Sequence, residues 1–145
     1  MKRLASFAFL LLLIGCGAGR QRAPLNELEL WVGTWQGQGV RENRLDPLQQ
    51  WTLTLSLKND RLVGVMRDNS GEMRKQKLEN VYVQEGMLSF KLGFETSRGL
   101  YVTYQYRARL NGNTLLSVFE GREGGRSFEG KWEARRVYEA GASND

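Results

Sequence analysis

Trp51-Thr52-Leu53-Thr54-Leu55-Ser56-Leu57-Lys58 alternates apolar and polar residues without a break. Successive side chains of an extended chain point to opposite faces, so a period of two predicts a strand burying Trp51, Leu53, Leu55 and Leu57 on one side. Asn59-Asp60 ends it, and the same kind of punctuation recurs downstream at 68–71, 85–86, 97–99, 111–113 and 121–125. These stretches are rich in Gly, Asn and Asp, the residues that tolerate positive φ in tight reversals. Strands are predicted between them at 34–41, 51–58, 61–67, 75–83, 87–94, 100–110, 114–120 and 127–137, eight in all. No segment is long enough for a crossover helix between parallel strands. The fold class is therefore all-β, an antiparallel up-and-down barrel of eight strands, which leaves no open edge. A two-sheet β-sandwich is the alternative that strand counting does not separate. Ahead of the strands, Asn26-Glu27-Leu28-Glu29 offers an N-cap with Glu three residues on, which predicts one short helical turn.

Parity assigns the faces. Val102, Tyr104, Tyr106, Ala108 and Leu110 share one side of the sixth strand and Thr103, Gln105, Arg107 and Arg109 the other. Leu88, Phe90, Leu92 and Phe94 on the fifth strand, and Phe128, Gly130, Trp132 and Ala134 on the eighth, are read as inward by the same rule. The third and fourth strands are ambiguous: Leu62, Gly64 and Met66 compete with Val63 and Val65, and Leu78 and Tyr82 with Val81 and Val83. An interior of this size is either filled by side chains or holds one small ligand. Tyr104, Tyr106, Phe90 and Trp132 are the candidate ligand-binding residues if it is hollow. Gly37, Gly39, Gly64 and Gly130 are compatible with a hollow interior or with tight coiling of the strands.

Outside the strands, Lys2 and Arg3 precede an apolar run over 4–14 that ends in Leu13-Ile14-Gly15-Cys16. A charged start, a short apolar core and small residues before a cut are the marks of a secretory signal, and the run is too short to span a bilayer. With cysteine directly after a Leu-x-Gly type tetrapeptide, the segment resembles the signal peptide of a bacterial lipoprotein. The resemblance implies removal of residues 1–15, lipidation at Cys16 and a membrane partner reached through that anchor. Gly17 after the cysteine, in place of Asp, implies the outer membrane of a host with two membranes, with the periplasmic face expected. Residues 16–24 then form a lipidated tether, 25–138 the barrel and 139–145 a disordered tail.

The 145-residue chain has one cysteine, no histidine, 21 Lys+Arg and 16 Asp+Glu. Loss of Lys2 and Arg3 with the signal leaves 19 basic against 16 acidic residues, a mature charge of about +3. The signs alternate along the chain, which argues against nucleic acid as a partner. With Cys16 acylated, no thiol remains for a disulfide or a nucleophile. The absence of histidine removes Cys/His metal sites, His-based triads and haem on a proximal His. No catalytic residue, metal site or cofactor is assigned, and the chain is read as a non-enzyme.

Trp31-Val32-Gly33-Thr34-Trp35-Gln36-Gly37 opens the first strand directly after the helical turn. This is similar to the Gly-x-Trp motif of lipocalin and calycin barrels, with Gly33 and Trp35 at the motif positions. The resemblance implies that Trp35 sits at the closed end under a basic residue of the last strand, here Arg136. It also implies a binding module for a small apolar or amphipathic ligand. A filled barrel that meets another envelope component through its surface, with Arg98, Arg122, Arg126 and the 121–125 loop as the place to look, is the other function carried forward. The protein partner itself is unknown.

Overall fold

The computed structural model describes residues 23–42 and 49–138. The segment 1–15, Cys16 and the tail 139–145 lie outside the described residues, and of the tether only Ala23 and Pro24 fall within them. The described chain forms one helix, α1 (Leu25–Glu29), and nine strands. These are β1 (Gly33–Arg41), β2 (Gln49–Lys58), β3 (Arg61–Asp68), β4 (Gln76–Lys77), β5 (Glu79–Gln84), β6 (Met87–Glu95), β7 (Tyr101–Asn111), β8 (Thr114–Glu123) and β9 (Arg126–Val137).

All nine belong to a single antiparallel sheet ordered β4-β3-β2-β1-β9-β8-β7-β6-β5. One continuous sheet excludes the two-sheet sandwich. Neighbours are sequential except where β1 pairs β9, with Trp35 opposite Arg136 and Gly39 opposite Trp132. The sheet is a nearly closed barrel, because its two outer strands, β4 and β5, are separated in sequence by Leu78 alone.

The count of nine instead of eight has a local cause. Residues 75–83 were expected to run as one strand, but β4 pairs β3 and β5 pairs β6, and the pairing register shifts between Glu79 and Tyr82. Asn80 sits at that shift with φ 51°. A bulge inserts one residue and moves every later side chain to the opposite face. Leu78 therefore packs on the core before the bulge, and Val81 and Val83 after it. Both parities that competed for this segment are used, one on each side of Asn80. On β3 the choice falls to Leu62 and Met66, which are buried, while Val63 is exposed.

Two further boundaries differ from expectation. The helix begins at Leu25 with Pro24 as its N-cap, and no side chain caps it. The Pro24 carbonyl accepts the N–H groups of Glu27 and Leu28 instead of the Asn26 side chain doing so. Strand β8 runs on to Glu123, so the expected turn at 121–125 shrinks to Gly124-Gly125, with φ of 54° and 83°. Positive φ at both central residues matches the twist of a two-residue hairpin. Gly121 stays in the strand, where a Cβ would lie 2.4 Å from Cζ of Phe128.

The core is one cluster running through the barrel and under α1, where Leu28 and Trp31 are buried. Two inward glycines set how closely it packs. A Cβ on Gly39 would lie 2.3 Å from Cζ3 of Trp51, and one on Gly130 would lie 2.2 Å from Cζ of Phe119 and 2.3 Å from the Val40 carbonyl oxygen. Their missing side-chain volume is occupied by rings from neighbouring strands. Gly130→Ala is accordingly expected to cost about 2–3 kcal/mol by overpacking, read as a lower urea midpoint with an unchanged m-value.

Candidate functional site

The inward rows bring Tyr104, Tyr106, Phe90 and Trp132 together. Phe90 and Tyr106 face each other across the β6–β7 pair and stack at 4.7 Å. Tyr104 stacks on Tyr106 at 5.7 Å and on Phe94 at 6.2 Å. Trp51, arriving from β2, meets Tyr104 and Tyr106 edge-on at 6.1 Å each, Trp132 at 6.2 Å and Phe119 at 5.2 Å. Tyr106 is 0% exposed, Phe90 and Trp132 1% and Tyr104 3%. Each ring covers the others, in the offset and edge-on geometries that aromatic quadrupoles favour.

Arginine stands over an aromatic ring at each end of this column. At the α1 end the Arg136 guanidinium lies 4.3 Å from the Trp35 ring centroid. It donates to the Val32 carbonyl and, at 2.6 Å, to the Leu30 carbonyl, so it also fastens the exit of α1. Trp35 Nε1 donates to the Trp31 carbonyl at 3.0 Å. Gly33 has φ 135°, and a Cβ there would meet Arg136 Nη1 at 3.0 Å. Only glycine combines that backbone with that approach.

The other end is closed by Arg41. Arg41, the last residue of β1, shares its inward face with Trp35, Gly37 and Gly39. Its guanidinium lies 4.0 Å from the Phe128 centroid and 5.6 Å from that of Tyr104. It donates to the Tyr104 hydroxyl and, at 3.0 Å, to Glu123 Oε2, and both charged side chains are only 11% exposed. Parity along β1 was the signal available in the sequence for Arg41. Nothing local marks Glu123, which reaches the same end from β8. Burial works to lower the Arg41 pKa, but Tyr104 and Glu123 outweigh it and hold the guanidinium above its ordinary value.

Polar atoms inside the column are left without partners. Tyr106 Oη, Trp51 Nε1 and Trp132 Nε1 are buried and make no hydrogen bond among the described residues. Burial pushes the Tyr106 phenol well above its ordinary pKa, with Tyr104 adding to the rise and Arg41 opposing it. Tyr104 is also raised, mainly by burial, again against the pull of Arg41.

A cleft of about 340 Å³ opens at the seam where β3 and β5 approach without pairing, and the buried side chains of Leu28, Leu62 and Val83 line it. A larger one, about 660 Å³, lies on the outer wall over β1, β9, β8 and β7, with Val40, Leu116 and Val118 among its lining. Arg98 stands 3.9 Å from Glu123 at the rim, and Arg122 and Arg126 are exposed near it. Among the described residues no three Asp, Glu, Cys or His side chains gather to hold a metal, and no helix is long and apolar enough to cross a membrane. In comparisons with known proteins, no family model matches the chain and no curated protein matches it in sequence.

Two outcomes follow from the buried phenols. Tyr106→Phe removes an unpartnered hydroxyl and is expected to stabilise the barrel by about 1 kcal/mol, measured by urea unfolding at neutral pH. The folded state holds both phenolic protons more tightly than the unfolded chain does. Their contribution is therefore complete below about pH 10 and is lost as pH rises beyond it. Unfolding midpoints followed upward from pH 9 should fall, and fall less steeply in Tyr106→Phe.

Proposed function

We propose that this chain is a lipid-anchored protein of the cell envelope, non-catalytic, whose filled barrel presents its outer wall to other envelope components. The anchor is Cys16, processed and acylated as the residues 13–16 suggest, and a Gly17 neighbour favours the outer membrane. The barrel is lipocalin-like, with Gly33, Trp35 and Arg136 as its closure. The observation that carries the reading is the packed column: the inward rings stack on one another, and an arginine lies over aromatic rings at each end. A small apolar ligand among Tyr104, Tyr106, Phe90 and Trp132 would have to displace rings that are 0–3% exposed. At about 0.5–1.5 kcal/mol for each aromatic pair beyond its buried area, opening the column costs more than a small ligand returns. The working surface is therefore outside.

Growth of the host with radiolabelled palmitate tests the anchor. Label in the wild-type protein, absent from Cys16→Ser, is expected, with the labelled protein in the membrane fraction. Photo-crosslinking from Leu116 or Val118 on the outer wall should give specific adducts that the same probe at Thr54 does not. Recovery of a stoichiometric small molecule by native mass spectrometry would overturn the filled-barrel part and restore the ligand-binding reading.

A further inference from the structure

The wall over β1, β9, β8 and β7 departs from what an outward sheet face normally carries. Strand alternation places polar residues on the solvent side of a barrel, as on β2, where Thr52, Thr54 and Ser56 face out. On β8 the outward row is Thr114, Leu116, Val118, Glu120 and Arg122, and its middle is apolar: Leu116 and Val118 are each 44% exposed, and Val40 of β1 is 39% exposed. Cross-strand register puts them in two adjacent rows. One row runs Val40, Lys131, Val118, Arg107, and the next Gln38, Glu133, Leu116, Arg109, Met87. The apolar side chains thus line a trough of about 660 Å³ flanked by three cations, with Glu133 the one acid in its lining.

The charges on this wall are poorly matched from within. Among the described residues Arg107 and Arg109 make no ion pair, and Lys131 pairs only with Glu42, at 3.2 Å, where both side chains are well exposed. An apolar strip between unmatched guanidiniums is complementary to a surface that is anionic at the top and apolar just beneath. Arginine stems cover apolar surface while their heads reach phosphate, and guanidinium matches phosphate oxygens two at a time.

We propose that this wall docks on an anionic phospholipid surface, with Leu116, Val118 and Val40 against the interface and Arg107, Arg109 and Lys131 on the headgroups. The inference rests on the reading that the barrel works from its outside and is tethered at Cys16. The eight peptide steps from Cys16 to Pro24 span at most about 28 Å, which holds the barrel close to the bilayer that carries the anchor. The backbone of β8 is paired on both sides, so a partner strand has no free edge to add to here. That leaves side-chain chemistry to select the occupant.

The test uses residues 16–145 carrying Cys16→Ser, so that no acyl chain contributes, with folding of the barrel checked by near-ultraviolet circular dichroism. Co-sedimentation is measured with vesicles of phosphatidylglycerol and phosphatidylcholine in equal amounts, and with phosphatidylcholine alone. Binding to the anionic vesicles that weakens with salt is expected. Each basic residue near such a surface multiplies partitioning roughly fivefold, so Arg107→Gln with Arg109→Gln should weaken it about 25-fold. Leu116→Ser with Val118→Ser should weaken it further at high salt, where charge is screened. Lys58→Gln with Arg67→Gln, on the opposite wall, should leave it unchanged. Equal binding to both vesicle types, equal loss from either wall, or no binding by a barrel with native near-ultraviolet circular dichroism would each overturn the proposal. A failed palmitate label with intact vesicle binding would remove the anchor and leave the docking wall standing.

Discussion

The indole of Trp51 is the contact around which the barrel is organised. It comes from β2 and touches rings from β7, β8 and β9, strands that have no backbone pairing with β2. Sheet hydrogen bonds hold neighbours together but do nothing across the lumen, so opposite walls are joined only by side chains. An indole 1% exposed with four aromatic neighbours performs that joining at the middle of the column. The glycines around it follow from the same constraint. A ring wide enough to cross the interior leaves no room for a Cβ at Gly39, and Phe119 imposes the same demand on Gly130. Fixing one large ring thus fixes the smallest residue on the strand paired beside it.

Packed in this way, the inward rings occupy one another. The side chains best suited to hold an apolar molecule are already holding one another, and the charged groups that enter the barrel do so at its ends. Arg136 ties β9 to the residues that follow α1, and Arg41 ties β1 to β7 and β8. Both cations are spent on closing the structure. On the outer wall Leu116 and Val118 stand where β2 carries threonine and serine, and among the described residues Arg107 and Arg109 make no ion pair.

Much of this was legible as pattern. Alternation over 51–58, 87–94 and 100–110 fixes which side chains face in, because the pleat makes face a local property of position along the strand. It fails where one residue changes the count. Asn80 adopts positive φ and shifts the phase, and no alternation rule sees a bulge before the pairing partner is known. Glycine was equally ambiguous in sequence: Gly121 looked like part of a turn and is a strand residue opposite Phe128. The helix starts two residues earlier than an Asn26 cap predicts, because the Pro24 carbonyl accepts the first N–H groups and no side chain is needed to cap them.

The sequence by itself determined the all-β class, the meander and the inward rows, since each depends on neighbours a few residues apart. Whether those rows enclose space or fill it was decided only by tertiary structure. That question turns on which rings meet across the lumen and at what angle. It also turns on which arginine covers which ring, and Arg41 with Glu123 or Arg136 with Trp35 are partners brought together only when β1 closes against β9 and the barrel forms. The same closure brings Val40 of β1 beside Leu116 and Val118 of β8 on the outside, turning apolar residues of two strands far apart in sequence into one surface.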